Sequence, residues 1–190
     1  MQQRLKHVTY EEAGPELREI YDDTMKVMGL PFVIRWFQVQ GSNVELLRGN
    51  WAKVKGALFE GDIPMLLKQL IIYQVSRTRG CNYCAFIHGL TADMLGSELC
   101  SDDGFKVSEN LDSTYIPTSY KTAIRIVSRC ALDPASASDE DFEDLRDEGF
   151  SEAEIQELLA QADIANMLNT IADTSGIEID PELLGMASGN

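Results

Sequence analysis

The spacing of apolar residues restricts this chain to helices. They recur three and four positions apart along its length, and no segment beside the β-branched run "LIIYQV" alternates with period two. A strand in that run would have no partner, so the fold class read from the chain is all-α. Glycine and proline mark the breaks. In "GPELREIYDDTMKVMG" Pro15 suits a first helical turn, and Leu17, Ile20, Tyr21, Met25 and Met28 share one stripe. Gly29 then stops the helix, with Pro31 beyond it. Residues 32–59 hold two apolar-rich helical stretches on either side of "GSN" (41–43), the second carrying Val44, Leu47, Trp51, Val54 and Leu58. "IPMLLKQLIIYQVSRTRG" starts a helix at Pro64 and stops near Gly80. Polar, turn-rich residues 101–118 predict a loop between two helical halves. Beyond it "SYKTAIRIVSRCAL" is amphipathic and ends before Pro134. Ser138 with Asp141, and Ser151 with Glu154, have the spacing of capping boxes that open two further helices. Ile155, Leu158, Leu159, Ala162 and Ala165 form the buried stripe of the second, and "DPELLGMASGN" reads as a tail. The 190 residues suffice for one well-cored domain, expected to span 1–190.

Charge narrows the partners. With 31 acidic and 16 basic residues the net charge is −15. That argues against nucleic acid, whose recognition needs a basic face, and disfavours an acidic membrane surface. No apolar run reaches membrane-spanning length, since "LLKQLIIYQV" is interrupted by Lys68, Gln69 and Gln74. The N-terminus has no apolar core of the signal-peptide kind, so a cytoplasmic location is expected. The methionine- and tryptophan-bearing helices of the first sixty residues are more apolar than a lone domain needs to cover, which predicts a homo-oligomer.

One short stretch carries the chemistry. "RGCNYCAFIHGL" holds two of the four cysteines, Cys81 and Cys84, and one of the two histidines, His88. On a helix Cys81 and Cys84 are i,i+3 and Cys84 and His88 are i,i+4, while Cys81 and His88 fall about 20° short of two full turns apart. All three therefore share a narrow face, with Tyr83 expected to project away from it. A dithiol redox centre needs this arrangement: one thiolate attacks an oxidant, the second resolves the sulfenic acid, and an imidazole exchanges protons. The break at Gly80 puts the cysteines at a helix start, where the local field favours thiolate, and Arg77 and Arg79 add positive charge. A structural metal site would need a fourth ligand, from Cys100, Cys130 or His7, and no spacing points to one. Haem attachment is excluded because Ala85, not histidine, follows Cys84. A buried structural face of cysteines with a satisfied core histidine is the remaining alternative. Cys100 and Cys130 stand alone and read as small buried hydrophobes.

"CNYCAFIHG", preceded by "LKQLIIYQVSRTRG", resembles the alkylhydroperoxidase D-like group of the carboxymuconolactone decarboxylase superfamily. "DEDFEDLRDEGFSEAEIQELLAQADIANMLNTIAD" is similar to the closing helices of its peroxidase-related branch, so the likeness covers roughly residues 10–180. The resemblance implies an all-helical homo-oligomer with its active site near a subunit contact. It implies a thiol-dependent peroxidase that reduces a hydroperoxide, with Cys84 as the peroxidatic thiol beside His88 and Cys81 as the resolving, more exposed one. A dithiol reductant protein would restore the thiols, with no organic cofactor or metal. The group usually has glutamate twelve positions before the first cysteine, as a proton relay; here Gln69 stands there. Glutamine forms hydrogen bonds but carries no proton at neutral pH, so Gln69 is read as orienting a water or His88. Glu60, Asp62 and Tyr73 are candidates to take over the relay. The departure at Gln69 keeps a second reading open, a non-peroxidatic helical oligomer that uses the Cys-x-x-Cys for redox sensing or disulfide exchange.

Overall fold

In a computed structural model, which describes residues 3–100 and 105–188, nine α-helices and no strand occur among the described residues. They are α1 (Pro15–Met28), α2 (Arg35–Gln38), α3 (Val44–Val54), α4 (Met65–Arg79), α5 (Asn82–Gly96), α6 (Thr118–Leu132), α7 (Asp139–Asp147), α8 (Glu152–Ser175) and α9 (Pro181–Ala187). None is long and apolar enough to cross a membrane. Both capping boxes form, at Ser138 with Asp141 and at Ser151 with Glu154. Gly29, Gly80 and Gly176 end their helices in the left-handed conformation that only glycine adopts without strain.

The helix α4 is central. Leu67, Leu70, Ile71, Ile72 and Val75 are all fully buried, on more than one face, so the β-branched run that alternates with nothing is a helix packed all round. Each such side chain is worth about 2 kcal/mol of burial. α5, α6 and α8 pack against it. Even Lys68 is buried: its ammonium bonds the Glu60 carbonyl and lies 3.3 Å from Glu157 Oε2. The same carboxylate accepts the N–H groups of Asp62, at 2.9 Å, and Ile63, at 3.1 Å, so α8 fastens the turn that leads into α4. Gly61 sits in that turn at φ +91°, and a Cβ there would come within 2.3 Å of the Glu157 carboxylate.

Three expectations need correcting. The residues before "GSN" form only the single turn α2, because Trp36 and Phe37 are buried at its centre and the flanking backbone is extended or turned. The helix after it, α3, does not end as an α-helix; Lys55–Phe59 widens into a π-turn whose Ala57 carbonyl is taken by Gln161 Nε2 at 2.9 Å. The C-terminal stretch is no tail. It forms α9, with Leu183 buried and Asp180, just before it, 2% exposed. Gly189 and Asn190, and the first four residues of the 101–118 loop, lie outside the described residues. The remainder of that loop runs over the core through a short 3₁₀ turn, with Val107 and Ile116 buried.

The aromatic residues of the first sixty positions pack within this one chain. Trp36, Phe37 and Trp51 form an edge-to-face series, with ring centroids 5.2 and 5.4 Å apart, and Trp36 Nε1 donates to the Leu168 carbonyl. Four exposed apolar side chains lie on two other helices, Met94 and Leu95 on α5 and Leu184 and Met186 on α9.

Candidate dithiol site

Cys81 joins two helices. Its N–H donates to the Ser76 carbonyl, and Gly80 N–H to that of Arg77, which closes α4 in a Schellman motif. Its own carbonyl accepts from Ala85 N–H, so Cys81 also caps α5. The motif and Gly80 turn the chain back on itself, and α5 packs antiparallel to α4. Cys84 follows in the first turn of α5 and His88 one turn later.

The hairpin brings Gln69 of α4 onto His88 of α5. His88 Nδ1 lies 2.6 Å from Gln69 Oε1, while Gln69 Nε2 points to Met65 Sδ at 3.4 Å. With the amide oxygen facing the ring, Nδ1 carries the proton and donates it, which leaves Nε2 as the basic nitrogen. Burial pulls the His88 pKa down to about 4, so the ring is neutral at physiological pH. A glutamate at position 69 would supply a negative charge to offset that burial; the amide does not. Of the relay substitutes, none lines the pocket of Cys84 and His88. Glu60 and Asp62 are on the exposed turn before α4, and Tyr73 packs against Gly89.

The thiols and Tyr83 depart from expectation. Cys81 is as buried as Cys84, at 0% and 2% exposure, rather than nearer solvent, because the helix hairpin encloses it. Cys84 is not held as a thiolate. The neighbouring Cys81 thiol and burial push the Cys84 thiol well above the ordinary value, and the Asp173 carboxylate adds to this. Neither arginine offsets the effect: both are exposed, and Arg79 reaches over to Asn166 Oδ1 at 2.6 Å on α8. Tyr83 does not stand apart either, since it lines the same pocket as Cys84 and His88. Cys100 is half-buried rather than buried.

That pocket is walled by Met28, Trp36, Phe37, Phe59 and Leu168. It shares Met28, Leu58, Phe59 and His88 with a groove that reaches Met94, Leu95, Leu183 and Met186. The π-turn places Leu58 and Phe59 in this wall. Asp180, which sequence reasoning left in a tail, meets the site through Tyr83: the phenol donates to Asp180 Oδ2 at 2.8 Å. Its only signal in the sequence was the Asp-Pro pair, a common helix start.

No protein-family model matches the chain, and no curated protein matches it. Solved structures do. An uncharacterized peroxidase-related protein with an alkylhydroperoxidase AhpD core from Ralstonia eutropha JMP134 is 18% identical and superposes with a TM-score of 0.81 over 96% of this chain and 95% of its own. An uncharacterized peroxidase-related protein from Silicibacter sp. TM1040 is 21% identical, with a TM-score of 0.77 over 97% and 98%. The debrominase Bmp8 is 19% identical, with a TM-score of 0.78 over 99% and 98%. A cysteine-to-alanine variant of that debrominase has been solved with 2,3,4-tribromopyrrole. The chain thus has the alkylhydroperoxidase D-like, all-α fold that the resemblance implied.

Proposed function

We propose that the chain is a thiol-dependent peroxidase that reduces organic hydroperoxides through Cys81 and Cys84, assisted by His88. The observation that carries this reading is a neutral imidazole, its Nδ1 tied to Gln69, in one apolar pocket with the Cys84 thiol, three positions from a second buried thiol, Cys81. Because Cys84 is held protonated, activation coincides with attack. His88 Nε2 takes the thiol proton as the Cys84 sulfur attacks the peroxide's terminal oxygen. The O–O bond breaks, the alkoxide leaves with the proton from His88, and Cys84 becomes a sulfenic acid. The Cys81 sulfur then displaces hydroxide from Cys84, giving the disulfide and, with the Cys81 proton, water. An external dithiol returns both sulfurs to thiols by exchange. Gln69 orients His88 and carries no proton itself.

Peroxide consumption with dithiothreitol as reductant tests this directly. Cumene hydroperoxide is expected to be consumed with one disulfide formed per turnover, and no consumption by the reduced protein would overturn the reading. The aromatic wall of Trp36, Phe37 and Phe59 supports a second substrate class, a planar halogenated ring such as the one the debrominase structure holds. There the balance would be R–Br plus two thiols giving R–H, disulfide and HBr. Bromide release from a bromopyrrole in the same assay decides between them.

Assembly is also proposed, on a different surface from the one the sequence suggested. Met94, Leu95, Leu184 and Met186, 43–60% exposed, flank the groove mouth, and a second copy of the chain would cover them. Light scattering at micromolar concentration is expected to give a multiple of 21.2 kDa. A monomer would rule the assembly out.

A further inference from the structure

One residue is common to the thiol pocket and a second opening. The Tyr83 ring lines the inner pocket with Cys84 and His88, and also an outer cleft with Gly80, Asn82 and Asp173. It is the one residue that lines both. Packing alone would hold a phenylalanine there equally well, yet the phenol is bonded twice. It donates to Asp180 Oδ2 at 2.8 Å and accepts the Trp36 N–H at 3.2 Å. Asp180 lies 97 residues further along the chain, and its Oδ1 accepts the Arg35 N–H at 2.8 Å. One buried carboxylate therefore ties α2, the start of α5 and the start of α9 together beside the cysteine pair. Burying a carboxylate is costly and persists only where its oxygens are bonded, as both are here. Burial keeps the Tyr83 phenol far from ionising at neutral pH, so the phenol does not exchange its proton with Cys84.

We propose that Asp180 is a positioning residue: through Tyr83 it keeps the thiol pocket closed to the outer cleft and confines approach to Cys84 to the apolar groove beside α9. The size of molecule that reaches the thiol is then set by a hydrogen bond remote from the sulfur. This rests on Cys81 and Cys84 being the reactive pair, not on which substrate they reduce.

The test uses the full chain with Cys100→Ser and Cys130→Ser, so that only the pair reacts. Alkylation by iodoacetamide and by the bulkier N-phenylmaleimide is followed by mass, in this parent and with Asp180→Asn, Tyr83→Phe or both. N-phenylmaleimide is expected to react about ten-fold faster in each single variant, the scale of one lost hydrogen bond, with a smaller rise for iodoacetamide. Both changes remove the Tyr83–Asp180 bond, and Tyr83→Phe also removes the one from the Trp36 N–H, so the combined variant should react no faster than Tyr83→Phe alone. An unchanged ratio of the two reagents in Tyr83→Phe overturns the proposal, as does a combined effect equal to the product of the single ones. Should Asp180→Asn fail to fold by circular dichroism, Tyr83→Phe, which removes one oxygen and leaves the ring, decides alone. Peroxide consumption by the unaltered protein is measured separately, so failure of the peroxidase reading does not enter this result.

Discussion

Serine in place of Cys84 is expected to reduce peroxide-driven oxidation to the uncatalysed rate, whereas serine in place of Cys81 leaves one oxidation intact. Cys84 is one helical turn from His88, and both line the pocket, so its proton has an acceptor where the peroxide would sit. Cys81 lies at the helix cap, two turns from the imidazole, and lines neither the pocket nor the groove. The Cys81→Ser protein should accumulate Cys84 as a sulfenic acid that over-oxidises, because no neighbouring thiol resolves it. In the unaltered protein, mild peroxide should join Cys81 to Cys84 and leave Cys100 and Cys130 as free thiols. A sulfenic-acid probe with mass mapping reads all three proteins. Labelling of Cys81 in Cys84→Ser, with none in Cys81→Ser, would reverse the roles.

The second large effect is on stability in acid. His88 has a folded pKa of about 4 against an ordinary 6.5, so between these values the unfolded chain binds the proton and the folded one does not. Stability is therefore complete above about pH 6.5 and is lost as the pH falls toward 4, by roughly 3 kcal/mol in all. Urea unfolding at pH 7 and pH 5 should show the parent losing about 2 kcal/mol more than His88→Gln, which cannot take up the proton. Gln69→Glu should shrink the difference, because a carboxylate 2.6 Å from Nδ1 would favour the charged ring and raise its pKa. Parallel pH dependences for the parent and His88→Gln would refute the assignment of a buried, neutral His88.

Substituting Gln69 thus changes what the site can do without removing the thiols. In the proposed cycle, glutamate at position 69 would give a charged His88 that holds Cys84 as thiolate before substrate arrives, and glutamine a neutral ring that would act only as a base during attack. The same hairpin geometry serves either chemistry.

What the sequence determined by itself is local. The capping boxes at Ser138 and Ser151, the helix stops at Gly29 and Gly80, and the i,i+4 relation of Cys84 to His88 depend on residues within a turn or two of one another. Chain stereochemistry decides such features before any packing. The helical fold class followed for the same reason, and the Cys-x-x-Cys with its histidine was specific enough to suggest the fold. Long-range packing decided the rest. Desolvation of a thiol depends on what covers it, and the helix start and nearby arginines pointed to a thiolate until α4 and α8 enclosed the pair. Lys68 looked like an interruption in an apolar run and proved to be buried against Glu157, 89 positions away in the chain. Asp180 looked like part of a tail and reached Tyr83 across 97 positions. A residue's burial and its hydrogen-bond partners are properties of the surfaces that meet it, and those surfaces exist only once distant helices have packed.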